Sequence, residues 1–157
     1  MKRQTNKFIK LFSKDRNMLL AGTINMQDMR YLNLFRRLSG ISTRHVFQYN
    51  QMIIFCVPKN LISKAIGENG KNIKKMGEIL GRRIKVIPIP KGVEHAKPFI
   101  EAIVSPVKFR DLDVKDNEMI LNAGKQSKAA LIGRDKRRLI EMQKIVKDFF
   151  GKEFRII

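Results

Sequence analysis

The sequence has a single cysteine, Cys56, and a single cysteine cannot form an internal disulfide. Such low cysteine usage fits a reducing compartment. Because Cys56 lies inside the apolar run Met52–Val57, we interpret it as a buried small hydrophobic residue and not as a nucleophile. Neither His45 nor His95 has a cysteine or carboxylate cluster at metal-ligand spacing around it. The sequence therefore predicts no metal site and no cofactor.

Long apolar runs are also missing, and none approaches the length that spans a membrane. The N-terminal stretch begins with Lys2 and Arg3, but further charges interrupt the residues after them, so this stretch lacks the apolar core of a signal peptide. We predict a cytoplasmic protein with no membrane partner. No Walker loop, metal cluster, Cys–His pair or Ser–His–Asp set can be singled out, and we predict that the protein is not an enzyme.

Acidic residues are scarce relative to basic ones. The chain has 33 Lys and Arg against 14 Asp and Glu, a formal net charge of +19. An excess of this size predicts a polyanionic partner, with nucleic acid ahead of an anionic membrane surface. With 157 residues, of which 43% are hydrophobic, the chain is long enough for one ordinary domain or two small ones with real cores.

The stretch of residues 61–84 predicts a short helix, the tetrad Gly67-Glu68-Asn69-Gly70, a second helix and then a strand. Apolar residues recur at helical spacing in the second helix, at Ile73, Met76, Ile79 and Leu80, and lysines fall on its other face. Two glycines let another backbone come close, and the N-terminus of the following helix favours a negative group. A Gly-x-x-Gly tetrad between two helices occurs in ordinary capped turns and is also the signature of the KH RNA-binding loop.

The chain before this stretch predicts a helix and two strands. Asn25 or Thr23 is a candidate cap for a helix that Gly40 ends. Residues 43–49 and Met52–Val57 predict two strands joined by a turn.

The two remaining segments are a basic N-terminus and a linker. The pattern of residues 1–22 predicts a short amphipathic basic helix, a mobile basic arm or a tail with no role beyond its charge. Residues 88–95 contain two prolines and a glycine and predict a linker. Because this linker is short, we expect the modules on either side to pack against each other.

The same order of elements recurs after this linker. The predicted elements are a helix at 98–104, a strand at 106–114, a turn at 115–117, an inner strand at 119–121, a short helix at 126–132, the tetrad Gly133-Arg134-Asp135-Lys136, a long helix that Gly151 ends and a strand at 153–157. A shift of 66 residues superposes Ile66 on Ile132, Gly67 on Gly133, Ile73 on Leu139, Met76 on Met142 and Ile79 on Ile145. An internal repeat in element order and apolar register predicts two copies of one fold.

The order helix, strand, strand, helix, GXXG, helix, strand resembles the type II KH fold. Two such modules in tandem resemble the archaeal NusA-type transcription termination and antitermination factors. The resemblance rests on Tyr31-Leu32-Asn33-Leu34-Phe35, Ser39-Gly40-Ile41-Ser42, residues 64–74 and Ala130-Leu131-Ile132-Gly133-Arg134. It implies an α+β protein of two tandem type II KH domains, each a small three-stranded sheet packed on helices. The first would span residues 23–90 and the second residues 91–157, after the basic segment 1–22.

The resemblance also implies a groove that holds extended, unpaired RNA between the short helix, the tetrad and the neighbouring strand. The implied RNA-binding residues are Lys64, Ile66, Gly67, Glu68, Asn69, Gly70, Lys71 and Lys74 in the first module and Gly133, Arg134, Asp135, Lys136, Arg137 and Arg138 in the second. The backbone at Gly67 and Gly70 and the start of the next helix would take phosphates, with lysines adding charge. Ile66, Ile73, Ile84 and Val86 would form an apolar floor for bases, a role that competes with core packing.

Two features depart from the family. Lys136 stands where the family pattern has glycine, so we expect the first module to contribute more to RNA binding. The bacterial relatives carry a polymerase-binding domain and a further RNA-binding domain, for which this sequence has no room.

The predicted partner is single-stranded RNA, with RNA polymerase or the transcription complex as a second candidate. The predicted function is a NusA-like role in transcription elongation, termination or antitermination; the alternative is a ribosomal or ribosome-assembly KH protein acting as a structural ribonucleoprotein component.

Overall fold

The structure is a computed structural model that describes residues 24–157. The predicted basic segment 1–22 and the candidate cap Thr23 lie outside the described residues. The first half contains α1 (Met26–Ser39), β1 (His45–Tyr49), β2 (Met52–Val57), α2 (Ile62–Ile66), α3 (Lys71–Leu80) and β3 (Arg83–Pro88). The second half contains α4 (Ala96–Val104), β4 (Asp111–Val114), β5 (Glu118–Asn122), α5 (Lys128–Ile132), α6 (Arg137–Phe150) and β6 (Glu153–Ile156). The predicted order of elements is therefore found in both halves.

The two halves contain sheets of the same topology. The strand order is β1-β2-β3 in the first sheet and β4-β5-β6 in the second. In each sheet the first two strands are antiparallel, and the last strand is parallel to the central one. A parallel pair needs a crossover connection, which α2 and α3 supply in the first half and α5 and α6 in the second. The fold is thus mixed α+β, with small three-stranded sheets on helices, and is compatible with KH-like modules.

Predicted caps fix the ends of the helices. The Asn25 side chain accepts a hydrogen bond from the Asp28 N–H at 2.8 Å and caps α1. Gly40 ends α1 in the left-handed conformation, and its N–H donates to the Arg36 carbonyl at 2.8 Å. Gly151 ends α6 in the same way, as its position predicted.

Strand β2 is buried along its whole length because helices cover both faces of the first sheet. Ile53, Phe55 and Val57 point to one face and join the first core cluster with residues of α1, α2 and α3. Successive side chains of a strand alternate between faces. Met52 and Ile54 accordingly point the other way, into a second cluster that we call the shared core.

The shared core joins the two halves of the chain. Its buried members include Met52, Ile54, Cys56 and Ile87 from the first sheet, Phe99, Ile100 and Ile103 from α4, Met142, Ile145 and Val146 from α6, and Met119, Leu121 and Phe154 from the second sheet. The layers therefore run from α1–α3 through the first sheet to α4 and α6, and then to the second sheet. The expected packing of the two halves against each other is confirmed.

Aromatic rings of both halves meet in this contact. Phe99 of α4 lies 6.2 Å from the Phe47 ring of β1, 4.8 Å from Phe149 and 5.8 Å from Phe150 of α6, measured between ring centroids. His45 also belongs here, with its ring 5.3 Å from that of Phe149. Aromatic pairs at these separations stabilise a core beyond their buried area.

A lysine adds a polar contact between the halves. Lys85 Nζ in β3 donates to the Ala102 carbonyl at 2.7 Å and to the Ser105 carbonyl at 3.4 Å, at the C-terminal end of α4. Burial, and secondarily the nearby Arg83, lower the pKa of Lys85. A cation suits the negative end of a helix dipole, so Lys85 holds α4 against the first sheet.

Two predictions about individual elements are wrong. The strand predicted at 106–114 is only Asp111–Val114, because Pro106 has no N–H to pair, and Val107 and Phe109 pack on the shared core as part of a loop. Ile79, predicted on the apolar face of α3, is 56% exposed, whereas Ile145 at the matching position is 3% exposed. The reason is that α6 lies between two sheets and α3 lies in an outer layer.

Residues 24–157 contain no helix that is long and apolar enough to cross a membrane. No group of three or more histidine, cysteine, aspartate or glutamate side chains in that range is placed to hold a metal ion. Cys56 is buried, as predicted, and burial raises the pKa of its thiol.

Candidate nucleic-acid interface

The first tetrad forms a tight loop between α2 and α3. Gly67 has φ 82° and ψ 167°, a combination open essentially to glycine alone. Asn69 and Gly70 follow in the left-handed region, at φ 56° and φ 72°. Three of the four residues thus have positive φ, which explains why glycine and asparagine stand at these positions.

The second tetrad has the same backbone conformation with a different sequence. Gly133 has φ 78° and ψ 170°, Asp135 has φ 55°, and Lys136 has φ 59°. Lys136 therefore adopts the left-handed conformation that the matching glycine adopts, at a cost of about 1–2 kcal/mol for a residue with a side chain. The loop geometry is retained although its fourth residue is not glycine.

Several N–H groups of both loops are already engaged. The Gly67 N–H donates to the Ser63 carbonyl at 3.0 Å, and the Gly70 N–H donates to the Gly67 carbonyl at 3.1 Å. In the second loop the N–H groups of Gly133 and Lys136 make the corresponding bonds. The glycines therefore supply backbone conformation and an open surface rather than free donors, which changes the role predicted for them.

Gly70 is the residue of the first loop that corresponds to Lys136. The space around Gly70 therefore shows whether a side chain at this position would clash with the protein. A Cβ on Gly70 would lie no closer than 3.8 Å to Ile73 and Lys74, which is ordinary van der Waals contact. A side chain at this position therefore fits within the protein itself. Any steric effect of Lys136 concerns a ligand that approaches the loop from solvent.

Basic side chains lie on both sides of the first loop. Lys64 of α2 and Lys71 and Lys74 of α3 are exposed. The Lys64 ammonium lies about 4 Å from where a Cβ on Gly40 would stand, over the C-terminus of α1. The last turn of α1 carries exposed Arg36 and Arg37, which sequence reasoning did not assign to the site. Their signal was the basic pair three and four residues before Gly40, the glycine that ends α1.

The basic residues of the second loop divide into two kinds. Arg134, Lys136 and Arg137 are exposed and available to an anion. Arg138 is partly buried, and its Nη1 donates to the Ala130 carbonyl at 2.8 Å. Arg138, predicted as an RNA-binding residue, is thus committed to a contact within the protein.

The apolar residues predicted as a floor for bases lie where α2 and α3 meet β3. Ile73, Ile84 and Val86 are partly buried and pack against the first core cluster, and Ile66 is partly buried as well. The core role is thereby confirmed for Ile73, Ile84 and Val86. Contact with bases stays a prediction, which the exposed part of each side chain allows.

The first turns of α6 lie beside the hairpin of the first half. The Asn50 N–H, in the β1–β2 turn, donates to Glu141 Oε1 of α6 at 3.0 Å. Burial raises the pKa of Tyr49 to about 12; the nearby Arg138 charge opposes this shift, and Glu141 adds to it. The start of α6 is therefore held against the first half.

Known proteins resemble this chain in sequence and in structure. No protein-family model matches the chain. The chain is 29% identical over 92 residues to the probable transcription termination protein NusA of Methanococcus vannielii, and the aligned part covers 59% of this chain and 51% of that protein. The chain thus spans about half the length of the curated relative that it matches.

A solved structure, that of the protein APE1850, has a similar fold. Its TM-score is 0.61 at 22% sequence identity, and the match covers 85% of this chain and 99% of that chain. At this identity the likeness concerns the fold alone. The chain is therefore similar to APE1850 in fold and, over 59% of its length, similar in sequence to a NusA protein.

Proposed function

We propose that this protein binds single-stranded RNA through two tandem type II KH modules and acts in transcription elongation, termination or antitermination as a NusA-like factor. The observation that carries the proposal is the pair of tetrad loops, which share one backbone conformation and lie among basic side chains. The partial similarity to a NusA protein supports RNA as one partner and RNA polymerase or the transcription complex as a second.

In the proposed mode of binding, an extended strand of RNA lies along each loop. Lys64, Lys71 and Lys74 neutralise phosphates at the first loop, and the open surface of the loop lets the RNA backbone approach. Bases lie on the exposed parts of the partly buried apolar residues beside the loop. This arrangement binds RNA without reacting with it, and we propose that the protein is not an enzyme.

The double variant Glu68→Asp with Asn69→Asp tests the first loop. The matching loop already has Asp135 at φ 55°, so aspartate at position 69, at φ 56°, should fold without distortion. The added carboxylate repels phosphate at the start of α3, and we expect RNA affinity to fall. Binding of a short unstructured RNA is measured by fluorescence anisotropy, with the fold checked by circular dichroism and melting.

Asn117→Asp is the matched control for this variant. It makes the same change of charge in the exposed turn before β5, outside the proposed site. The control should bind RNA nearly as the wild type does. Equal affinities for wild type, control and double variant, with unchanged melting, would show that the first loop does not hold RNA.

Salt dependence tests the electrostatic part of the proposal. A chain with a net charge of +19 should bind RNA largely through phosphates. The logarithm of the binding constant should then fall linearly with the logarithm of salt concentration, by about 0.7 per phosphate neutralised. A titration series from low to physiological ionic strength measures this slope, and a binding constant indifferent to salt contradicts the prediction.

The same titrations separate this proposal from the ribonucleoprotein alternative. A NusA-like protein binds free single-stranded RNA in solution, whereas a structural ribonucleoprotein component binds only within its assembled particle. Affinity for free RNA together with recovery of transcription proteins after crosslinking in cells supports the proposal. Recovery of ribosomal components alone contradicts it.

A further inference from the structure

The second residue of the helix after each loop turns back over the loop. This residue is Asn72 in α3 and Arg138 in α6, which the repeat places at matching positions. Asn72 Nδ2 donates to the Lys64 carbonyl at 3.2 Å, and Arg138 Nη1 donates to the Ala130 carbonyl at 2.8 Å. Two residues of different chemistry therefore make the same contact.

The accepting carbonyls are those that the loop leaves without a helical partner. In each short helix, the first glycine of the tetrad donates to the carbonyl of the second helical residue, Ser63 or Ala129. Continuing the helix would bring the next N–H to the carbonyl of Lys64 or Ala130, but the glycine turns the chain away at positive φ. The side chain from the next helix replaces that missing donor.

The same side chains explain why the first residue of each tetrad is glycine. A Cβ on Gly67 would lie 2.9 Å from Asn72 Cγ and Nδ2, and a Cβ on Gly133 would lie 2.9 Å from Arg138 Cγ. The side chain thus packs directly on the glycine while its end bonds to the short helix. Short helix, loop and long helix are held together at this one point.

We propose that Asn72 and Arg138 are positioning residues that hold the two loops in the conformation that binds RNA phosphates. This inference rests on the proposed function, because it assigns the role of these loops to RNA binding. Arg138 acts through the loop and not as a cation on the RNA, in contrast to the exposed Arg134, Lys136 and Arg137. Asn72, which has no charge to offer a phosphate, acts in the same way.

Exchanging the residue types between the two loops separates positioning from charge. In the full chain, Arg138→Asn removes the charge and keeps a donor of the kind found in the first loop. Arg138→Ala removes both, and Asn72→Ala removes the donor without any change of charge. Asn33→Ala, a truncation of the same residue type on the exposed side of α1, is the control. Each variant is measured by amide hydrogen exchange of the loop without RNA and by affinity for a short unstructured RNA.

We expect Asn72→Ala to speed exchange in the first loop and to weaken RNA binding by about three- to tenfold, the effect of losing one ordinary hydrogen bond. Arg138→Ala should speed exchange in the second loop and weaken binding, and Arg138→Asn should restore the slow exchange and most of the affinity. Equal losses of affinity in Arg138→Asn and Arg138→Ala, with unchanged exchange in both, would make Arg138 a direct cation and overturn the inference. Asn72→Ala behaving as Asn33→Ala would overturn it for the first loop.

Failure of the proposed function gives a different result. A wild-type protein with no affinity for RNA contradicts RNA binding itself. The hydrogen-exchange measurements then still decide whether Asn72 and Arg138 hold the loops.

Discussion

Replacement of Phe99 by alanine is expected to lower the free energy of unfolding by about 3–5 kcal/mol, the usual loss for a buried phenylalanine. Phe99 is 4% exposed and lies in the shared core between Phe47 of the first half and Phe149 of the second. Truncation leaves a cavity at the contact between the halves, and the surrounding rings can only partly fill it. Denaturant unfolding followed by circular dichroism measures the loss.

The same variant should unfold in one cooperative transition, because both sheets contribute to the shared core. Hydrogen exchange in β2 and β5 should therefore report the same loss of stability. Ile79→Ala is the control, since Ile79 is 56% exposed on α3 and its truncation should change stability by about 0.5 kcal/mol or less. A loss from Phe99→Ala no larger than that of the control, or separate transitions for the two sheets, would contradict the shared core.

The second large effect is expected from exchanging the fourth residues of the two tetrads. Gly70→Lys should clearly weaken RNA binding, because it places a long side chain between the loop and an approaching phosphate. Lys136→Gly should cause little loss of affinity, or a gain. Sterics should prevail over charge, since exposed charges are screened over about 8 Å at physiological salt, whereas a backbone contact requires the space to be free. Both variants are compared with wild type in one RNA-binding assay at physiological salt.

Stability gives this comparison an internal control. Lys136 has φ 59° and Gly70 has φ 72°, so glycine relieves strain at one position and lysine introduces it at the other. Lys136→Gly should therefore stabilise the protein, and Gly70→Lys destabilise it, each by about 1–2 kcal/mol. Both proteins should fold, because the second loop shows that lysine can adopt this conformation. A larger loss of affinity from Lys136→Gly than from Gly70→Lys would make the second module the main RNA site.

Local signals in the sequence predicted most elements correctly. Helix ends at Asn25, Gly40 and Gly151 follow from the side-chain bonds and backbone preferences of these residues themselves. The local sequence was therefore sufficient to predict where these helices begin or end. The strand predicted at 106–114 is too long, because β-branched and aromatic residues indicate burial but do not distinguish a strand from a buried loop. Val107 and Phe109 are indeed partly buried, but in a loop whose first residue cannot join a ladder.

The sequence predicted the positions of the two tetrad loops but not their internal contacts. Both tetrads stand where the pattern placed them, between a short helix and a longer one. The engagement of the glycine N–H groups and the turning back of Asn72 and Arg138 depend on φ and ψ values that no residue pattern specifies. A basic residue two positions after a basic loop is interpreted from sequence as one more cation, and only its bond to the Ala130 carbonyl gives Arg138 another role.

Composition, periodicity and the internal repeat were enough to establish a basic α+β protein with two matching halves and two tetrad loops. These properties follow from local preferences and from the spacing of apolar residues, which a sequence displays directly. The shared core could not be read in this way, because Ile79 and Ile145 have the same side chain at matching positions and only one of them is buried. Their difference arises because α6 lies between two sheets, and burial depends on which surfaces the folded chain brings together.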